Sequence, residues 1–406
     1  MHRHSHRRHR AIAIPSLLTA SLLIVLAGCQ NTQHDESMNA ADNRWLALRS
    51  NMMLKMAEQQ FETGDLDTAR QTINDALQID PENDRLYVIA GRIALEEDQL
   101  ERAFRHFNDA QEFNENNPES HYYQGIILQR WQRYEDAEQA YRRAYDAQSD
   151  EPAYLMALSE MMIERGRADE ALTMLEEKLD YFDQNSALRA QVGYLYKLKG
   201  EPAKAVGFFQ QAALMNPDDP KLQEELAMAQ LDAGEHEQAI ATLESLLDDR
   251  DMRARRDLRR TLARAYQTIG RTDKARQTYL ELARSPHGKP SDWLRLGELA
   301  WQAEDLGATL QAANRVIELA PQRYEGYFMA GLVWHKRGRL DDALTMFDRA
   351  ADRAADRSEP FIMRGLSLQR AGRTAAARDA YQQALQRNPD DPRAQRLLNQ
   401  LDTVAQ

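Results

Sequence analysis

The chain has almost no cysteine. Cys29 is the only one in 406 residues, so the sequence excludes an intrachain disulfide framework and any metal cluster built from several thiolates. It also lacks an excess of basic residues, because 52 Lys and Arg stand against 64 Asp and Glu, for a formal net charge of −12. Nucleic-acid binding needs a basic surface that neutralises phosphates, so the composition argues against a nucleic-acid partner.

Motifs for catalysis and for β structure are also missing. We find no G-x-S-x-G nucleophile turn, no H-E-x-x-H pair and no glycine-rich phosphate loop. The many acidic residues follow helical periodicity, which is typical of a solvated helix face. No run alternates apolar and polar residues between turn dipeptides. The sequence therefore predicts an all-α protein that is not an enzyme and holds neither a cofactor nor a metal.

The single cysteine ends an N-terminal segment that has the layout of a secretory signal. Residues 1–10 carry four arginines, four histidines and no acid, and residues 11–27 are apolar apart from two serines and one threonine. A basic region, an apolar run and small residues at its exit are typical of a cleaved signal peptide. An apolar run of about 17 residues is also near the lower limit for crossing a bilayer, so an uncleaved transmembrane anchor is the alternative.

Residues 26–29 read Leu-Ala-Gly-Cys and resemble the lipobox of bacterial lipoproteins. The resemblance implies cleavage after residue 28, lipidation of Cys29 and anchoring to a membrane. Residues 1–28 contain four arginines and no acid, so cleavage changes the formal net charge from −12 to −16. Gln30 stands where an inner-membrane retention signal would place aspartate. In the Gram-negative lipoproteins that the segment resembles, this implies a cell-envelope location at the outer membrane, facing the periplasm.

From Ser50 the chain repeats itself in ten windows of 34 residues, with a two-residue insertion after residue 253. The eighth position is always small: Ala57, Gly91, Gly125, Ser159, Gly193, Ala227, Ala263, Gly297, Gly331 and Gly365. The twentieth is alanine except once: Ala69, Ala103, Ala137, Ala171, Ala205, Ala239, Ala275, Thr309, Ala343 and Ala377. The twenty-fourth is large except once: Ile73, Phe107, Tyr141, Leu175, Phe209, Leu243, Tyr279, Ala313, Phe347 and Tyr381.

This pattern predicts a hairpin of two helices in every window. Small residues on both helices allow a close crossing, and the large residue at position twenty-four fills the space beside it. Glycine at position fifteen of seven windows supplies the turn between the helices. In window eight Thr309 and Ala313 replace the usual pair, which indicates an irregular second helix or neighbour contact. The final segment places Leu397, Leu398 and Leu401 on one face and predicts a capping helix.

Residues 293–297 read W-L-R-L-G and match the W-x₂-L-G that opens the tetratricopeptide repeat (TPR). The ten windows resemble this family, which implies an α-solenoid, a right-handed superhelix of about ten TPR helix-turn-helix hairpins. The predicted segments are a signal peptide (1–28), the lipidated cysteine with a flexible tether and lead-in to the first helix (29–49), repeats one to six (50–253), repeats seven to ten (254–391) and a capping helix (392–406). The two-residue insertion is either a point where the array bends between two sub-arrays or a slightly longer loop without a mechanical role.

A solenoid offers a long concave surface that suits a protein segment. The TPR resemblance implies that positions two, five, nine, twelve and thirteen of each first helix line this surface. In repeats seven to ten these positions predict a protein-binding groove formed by Arg260, Arg264, Leu294, Trp301, Phe328, Leu332, Ile362 and Leu366. The apolar members would contact an extended peptide or a helix, and the two arginines would meet an acidic group. The alternative is that some of them pack between repeats.

Together these features predict a membrane-anchored TPR scaffold that mediates protein–protein interactions during assembly of a cell-envelope complex. The TPR and lipoprotein resemblances imply pilus, outer-membrane protein or polysaccharide-export systems, and the sequence does not choose among them. The partners are a protein or peptide in the groove and a membrane bound through the lipid on Cys29. The alternative is a TPR regulator or scaffold of peptidoglycan or polysaccharide enzymes.

Overall fold

The described part of the chain is entirely helical. The structure is a computed structural model that describes residues 44–354 and 356–404, and within these residues it contains 21 helices and no strand. The helices form ten consecutive hairpins followed by a single helix: α1 (44–62), α2 (Leu66–Ile79), α3 (Asp84–Glu96), α4 (Leu100–Phe113), α5 (Pro118–Arg130), α6 (Tyr134–Ala147), α7 (Pro152–Glu164), α8 (Ala168–Glu176), α9 (Ser186–Leu198), α10 (Pro202–Met215), α11 (Pro220–Asp232), α12 (His236–Asp248), α13 (Arg256–Thr268), α14 (Thr272–Arg284), α15 (Pro290–Gln302), α16 (Leu306–Leu319), α17 (Tyr324–Lys336), α18 (Leu340–Arg353), α19 (Glu359–Arg370), α20 (Thr374–Arg387) and α21 (Pro392–Val404). This arrangement confirms the predicted α-solenoid.

Every hairpin turns through a left-handed residue at position fifteen. Seven repeats place glycine there, with φ between 74° and 81°. In repeats two, three and eight the residues are Asp98, Gln132 and Glu304, with φ of 56°, 60° and 59°. Left-handed backbone costs a residue with a side chain about 1–2 kcal/mol. The packing of the two helices therefore imposes the turn even where the local sequence disfavours it.

Within a hairpin, the residue at position eight of the repeat, on the first helix, faces the residue at position twenty-four, on the second helix. A methyl group on Gly331 would lie 2.6 Å from Cε1 of Phe347, and one on Gly125 would lie 2.5 Å from Cε1 of Tyr141. Both aromatic rings are buried, at 0% and 1% exposure. The small residue thus makes room for the large one, which confirms the predicted crossing.

The second helix of repeat eight, α16, is regular over 14 residues, so of the two predicted departures it is the contact with a neighbour that differs. Thr309 is buried, and its hydroxyl donates to the carbonyl oxygen of Asp305 at 2.7 Å, within the helix. Ala313 is too small to fill the space beside Gly297. The Sδ atom of Met329, from the first helix of repeat nine, lies there instead.

The chain divides into two compact units, one ending at Asp183 and the other beginning at Gln184. Within the second unit, one apolar cluster runs from Ala227 to Ala330. The division predicted after residue 253 lies inside this cluster. The apolar core therefore continues past the two-residue insertion, and the division into two sub-arrays stays a prediction.

The last helix, α21, packs on the final hairpin of the second unit. Ala394 and Leu401 are 0% and 4% exposed and contact the apolar clusters of α19 and α20. Leu397 and Leu398 are partly buried in the same region. A helix with one apolar face therefore covers the end of the repeat array, as the sequence predicts for the cap.

Candidate functional site

A cleft of about 550 Å³ lies between the first helices of repeats eight and nine, α15 and α17. Four residues of the predicted groove meet in it: Leu294, Trp301, Phe328 and Leu332. The remaining lining residues are Ser291, Arg295, Glu298, Gln302, Arg323, Tyr324, Glu325 and Met329. The cleft arises because α15 and α17 place positions five, nine and twelve on a common side.

The floor of the cleft is apolar and held in place. Leu294 is 8% exposed, whereas Trp301, Phe328 and Leu332 are half-buried and reach solvent on one side. The ring centroid of Phe328 lies 5.9 Å from that of the buried Phe347, and this contact orients it. An apolar floor that is already positioned can accept a partner side chain with little loss of conformational entropy.

The rim of the cleft is charged but internally paired. Nη1 of Arg295 lies 2.6 Å from Oε2 of Glu298, and Nη2 of Arg323 lies 2.5 Å from Oε1 of Glu325. The hydrogen bond from Arg323 holds the pKa of the Glu325 carboxyl below its usual value. Because exposed ion pairs contribute little binding free energy, the rim is suited to orient a partner rather than to attract it strongly.

Lys336 fixes one side of the Trp301 ring. Its Nζ lies 5.3 Å from the ring centroid and 3.0 Å from Oε1 of Glu304. A cation over an indole face contributes about 0.5–1 kcal/mol at an exposed site. The indole therefore presents an oriented surface to the cleft.

Arg260 is already bound by a carboxylate of this chain. Its Nε and Nη2 donate to Oδ1 and Oδ2 of Asp292 at 2.7 and 3.0 Å. Arg256 donates to the same Oδ2 at 3.1 Å, as does the backbone N–H of Lys289. Asp292 is 1% exposed, and burial alone would raise its pKa, but these hydrogen bonds and positive charges hold the pKa below its usual value. Arg260 therefore joins repeats seven and eight and does not line the cleft.

The other predicted groove residues also lie outside the cleft. Arg264 is exposed, and its Nη2 donates to Oγ1 of Thr261 at 3.3 Å. Ile362 is 4% exposed and belongs to an apolar cluster with Ala394 of α21, against which Leu366 also packs. In repeat ten the capping helix thus covers the positions that form the cleft floor in repeats eight and nine.

Sequence reasoning missed part of the polar half of the cleft. Arg323 immediately precedes α17, outside the first-helix positions that the TPR resemblance assigns to the groove. Tyr324 begins that helix at position one, also outside them, whereas Glu325 at position two is a groove position of the family. The Arg-x-Glu spacing at the start of a helix was the available signal, since it brings opposite charges to one edge of the groove.

Metal-binding and membrane-spanning features are absent from the part of the chain that the structure describes. Within residues 44–354 and 356–404, no three His, Cys, Asp or Glu side chains are grouped so that they could hold a metal ion. None of the helices in these ranges is both long enough and apolar enough to cross a bilayer. Cys29, the predicted lipidation site, lies outside the described residues.

The chain belongs to the tetratricopeptide repeat family. One family model described as a tetratricopeptide repeat matches residues 54–121, 122–186, 260–323, 294–359 and 362–398, and a second with the same description matches residues 198–257. Repeat solenoids of this kind expose extended binding surfaces to other proteins. The fold and the family matches together therefore define a TPR solenoid, a class whose members generally bind other proteins.

Two known proteins are similar to parts of the chain. The cytochrome c-type biogenesis protein CycH of Rhizobium meliloti is 35% identical over 101 residues, which are 24% of this chain and 26% of that protein. The CTR9 homolog of Arabidopsis thaliana is 28% identical over 134 residues, which are 32% of this chain and 12% of that protein. The chain thus spans about a quarter of the first relative and about an eighth of the second.

A solved structure shares the fold. The C-terminal part of a TPR repeat-containing protein from Cytophaga hutchinsonii aligns with a TM-score of 0.50 and 14% identity, over 59% of this chain and 98% of that chain. At this identity the likeness concerns the fold alone.

Proposed function

We propose that the chain is a membrane-anchored scaffold that holds a segment of a partner protein in the cleft between α15 and α17 while a cell-envelope complex assembles. The observation that carries this proposal is the half-buried apolar floor formed by Trp301, Phe328 and Leu332. In a chain of net charge −12, solvent-reaching apolar side chains gathered in one concavity favour a protein-binding surface over a purely structural one.

The occupant of the cleft is an extended peptide or a helix that carries apolar side chains. Trp301 and Phe328 supply broad, rigid faces, which are the residue types that most often dominate protein interfaces. The pairs Arg295–Glu298 and Arg323–Glu325 lie beside them and offer hydrogen-bonding groups of both signs. Affinity thus comes from the floor, and the direction of the bound segment comes from the rim.

The membrane anchor is the lipid on Cys29, and the compartment is the outer membrane facing the periplasm. The lipobox-like residues 26–29 and Gln30 support this part of the proposal. The similarity to a protein named for cytochrome c-type biogenesis is consistent with a role in assembly. Intact-mass measurement of the membrane fraction tests the anchor, because a lipidated chain begins at Cys29. An unmodified Cys29 still joined to Gly28 would contradict it.

Phe328→Ala is expected to weaken partner binding about tenfold or more, because truncating a well-positioned aromatic at an interface commonly costs about 2 kcal/mol. The measurement is the amount of partner that the purified chain retains from a solubilised envelope extract, quantified by mass spectrometry across a dilution series.

Leu319→Ala is the matched control. Leu319 is an apolar residue of α16 that is 45% exposed and does not line the cleft. Phe328 also contacts Phe347, so the thermal unfolding of both variants is measured in parallel. Equal retention by Phe328→Ala and the natural chain, with both folded, would show that the cleft is not the binding site.

A further inference from the structure

The first helix, α1, carries an exposed apolar stripe. Trp45, Leu48, Met52 and Met56 are 58%, 65%, 67% and 52% exposed. Their spacing of three or four residues places all four on one side of the helix. Four large apolar side chains in a row on a solvated helix face expose far more apolar surface than isolated residues would.

The side of α1 that faces the core lies roughly opposite this stripe. Leu54 and Ala57 are 1% and 0% exposed and pack in one apolar cluster with α2 and α3. At 100° per residue, these two positions fall on the other side of the helix from Met52 and Met56. The stripe is therefore not used to build the first repeat.

Cations flank the stripe, and the acids of α1, Glu58 and Glu62, come only after its last residue. Residues 44–57 contain Arg44, Arg49 and Lys55 and no Asp or Glu, in a chain of net charge −12. All three cations are exposed, and Cζ of Arg49 lies 5.5 Å from the ring centroid of Trp45. Long cationic side chains beside an apolar stripe are typical of a helix that lies in a membrane interface.

We propose that α1 lies on an anionic phospholipid surface, with the apolar stripe at the boundary between headgroups and acyl chains. Arg44, Arg49 and Lys55 then reach the lipid phosphates. Charge selects this occupant over a second copy of the chain. A two-fold dimer through the stripe would bring the same three cations against their copies, whereas an anionic bilayer neutralises them.

The position of α1 in the sequence supports the same occupant. Residue 44, the first described residue of the helix, comes 15 residues after Cys29, and a fully stretched segment of that length reaches about 50 Å. A chain anchored at Cys29 would therefore keep α1 near the bilayer. The inference itself rests on the residues of α1 and requires neither the lipid nor an occupant of the cleft.

The test measures where the stripe lies when the full chain meets vesicles. In a Cys29→Ser background, a nitroxide label is attached at Met52→Cys on the stripe or at Gln71→Cys, an exposed position on α2. Collision rates with oxygen and with a water-soluble nickel chelate are recorded with and without vesicles of equimolar phosphatidylcholine and phosphatidylglycerol. The label reports the position of α1 even if residues 1–28 also bind the vesicles.

The expected result is that the label at Met52→Cys gains oxygen collisions and loses nickel collisions severalfold on anionic vesicles, while the label at Gln71→Cys changes little. A Met52→Cys label that stays as accessible to nickel as the Gln71→Cys label, on vesicle-bound protein, would overturn the proposal. Spin–spin broadening at Met52→Cys without vesicles would also overturn it, because a second copy would then cover the stripe.

The contribution of charge is tested separately. Lys55→Gln is expected to lower the partition of the chain onto the anionic vesicles about fivefold, since each cation near such a surface contributes about a factor of five. Lys221→Gln, which removes an exposed lysine from α11, is the matched control and should change the partition little. Equal effects of the two substitutions would contradict a specific role for α1.

Discussion

Asp292→Ala is expected to lower the free energy of unfolding by about 3 kcal/mol. Asp292 is 1% exposed and accepts hydrogen bonds from Arg256 and Arg260 of α13, so its removal leaves two guanidinium groups in a partly buried site without their counter-charge. Breaking one side of a buried ion pair typically costs about 3–5 kcal/mol, and the partial exposure of the arginines places this site near the lower value. Urea unfolding, combined with hydrogen exchange of α13 and α15, measures the effect.

Glu318→Ala is the matched control, because it removes an exposed carboxylate that lies 2.5 Å from Arg315 within α16. Its expected cost is under about 1 kcal/mol, since exposed ion pairs contribute little. If both substitutions had the same small effect, the Asp292 cluster would not join repeats seven and eight.

The same cluster predicts a pH dependence with a definite sign. The folded pKa of Asp292 is below its unfolded value, which is about 3.9 for an aspartate. Its contribution to stability is therefore complete above about pH 4 and is lost as the pH falls through the folded pKa. The difference in stability between the natural chain and Asp292→Ala should shrink as the pH falls below about 4.

Gly331→Ala is expected to destabilise the chain by about 1–3 kcal/mol. The added methyl group would lie 2.6 Å from Cε1 of Phe347, which is 0% exposed and has no room to withdraw. Overpacking of a dense core costs about this much. Because Phe347 also orients Phe328, the substitution should disturb the cleft floor as well.

Gly207→Ala is the control for Gly331→Ala, and we expect it to raise the stability of the chain instead of lowering it. Gly207 lies within α10, and apart from the adjacent backbone of that helix no atom lies within 4 Å of the place that a methyl group would take. Alanine there should stabilise the chain by up to about 1 kcal/mol, through helix propensity and a less flexible unfolded chain. Two substitutions with the same sign in urea unfolding would show that the assigned repeat register is wrong.

The hairpins could be predicted because their determinants recur every 34 residues. Gly331 and Phe347, or Gly125 and Tyr141, meet inside a single hairpin, so spacing along the chain is enough to identify the contact. The residue that packs beside Gly297 in repeat eight could not be predicted from spacing within one hairpin. Met329 comes from the next repeat, and its side chain fills a space that only the stacked structure defines.

The candidate site was predicted in part. Trp301, Phe328 and Leu332 follow the first-helix positions of the family and meet in the cleft. Arg260 also occupies a groove position of its first helix. Its partner Asp292 lies 32 residues away, and the sequence around neither residue indicates that the two side chains pair. Ile362 is covered by a helix outside the repeats. The position of a residue within its repeat thus predicts which way its side chain points. Whether that side chain is exposed depends on the residues of the neighbouring repeat or capping helix that cover it or pair with it.

The binding claim is tested most directly by site-specific photo-crosslinking in intact cells. A photoreactive amino acid replaces Gln302, an exposed cleft residue, or Leu319, an exposed residue of α16 outside the cleft. We predict a crosslinked product of defined mass from position 302 that falls about tenfold when Phe328→Ala is added, and little product from position 319. A product that forms equally from position 319, or that is unaffected by Phe328→Ala, would contradict a partner held in the cleft.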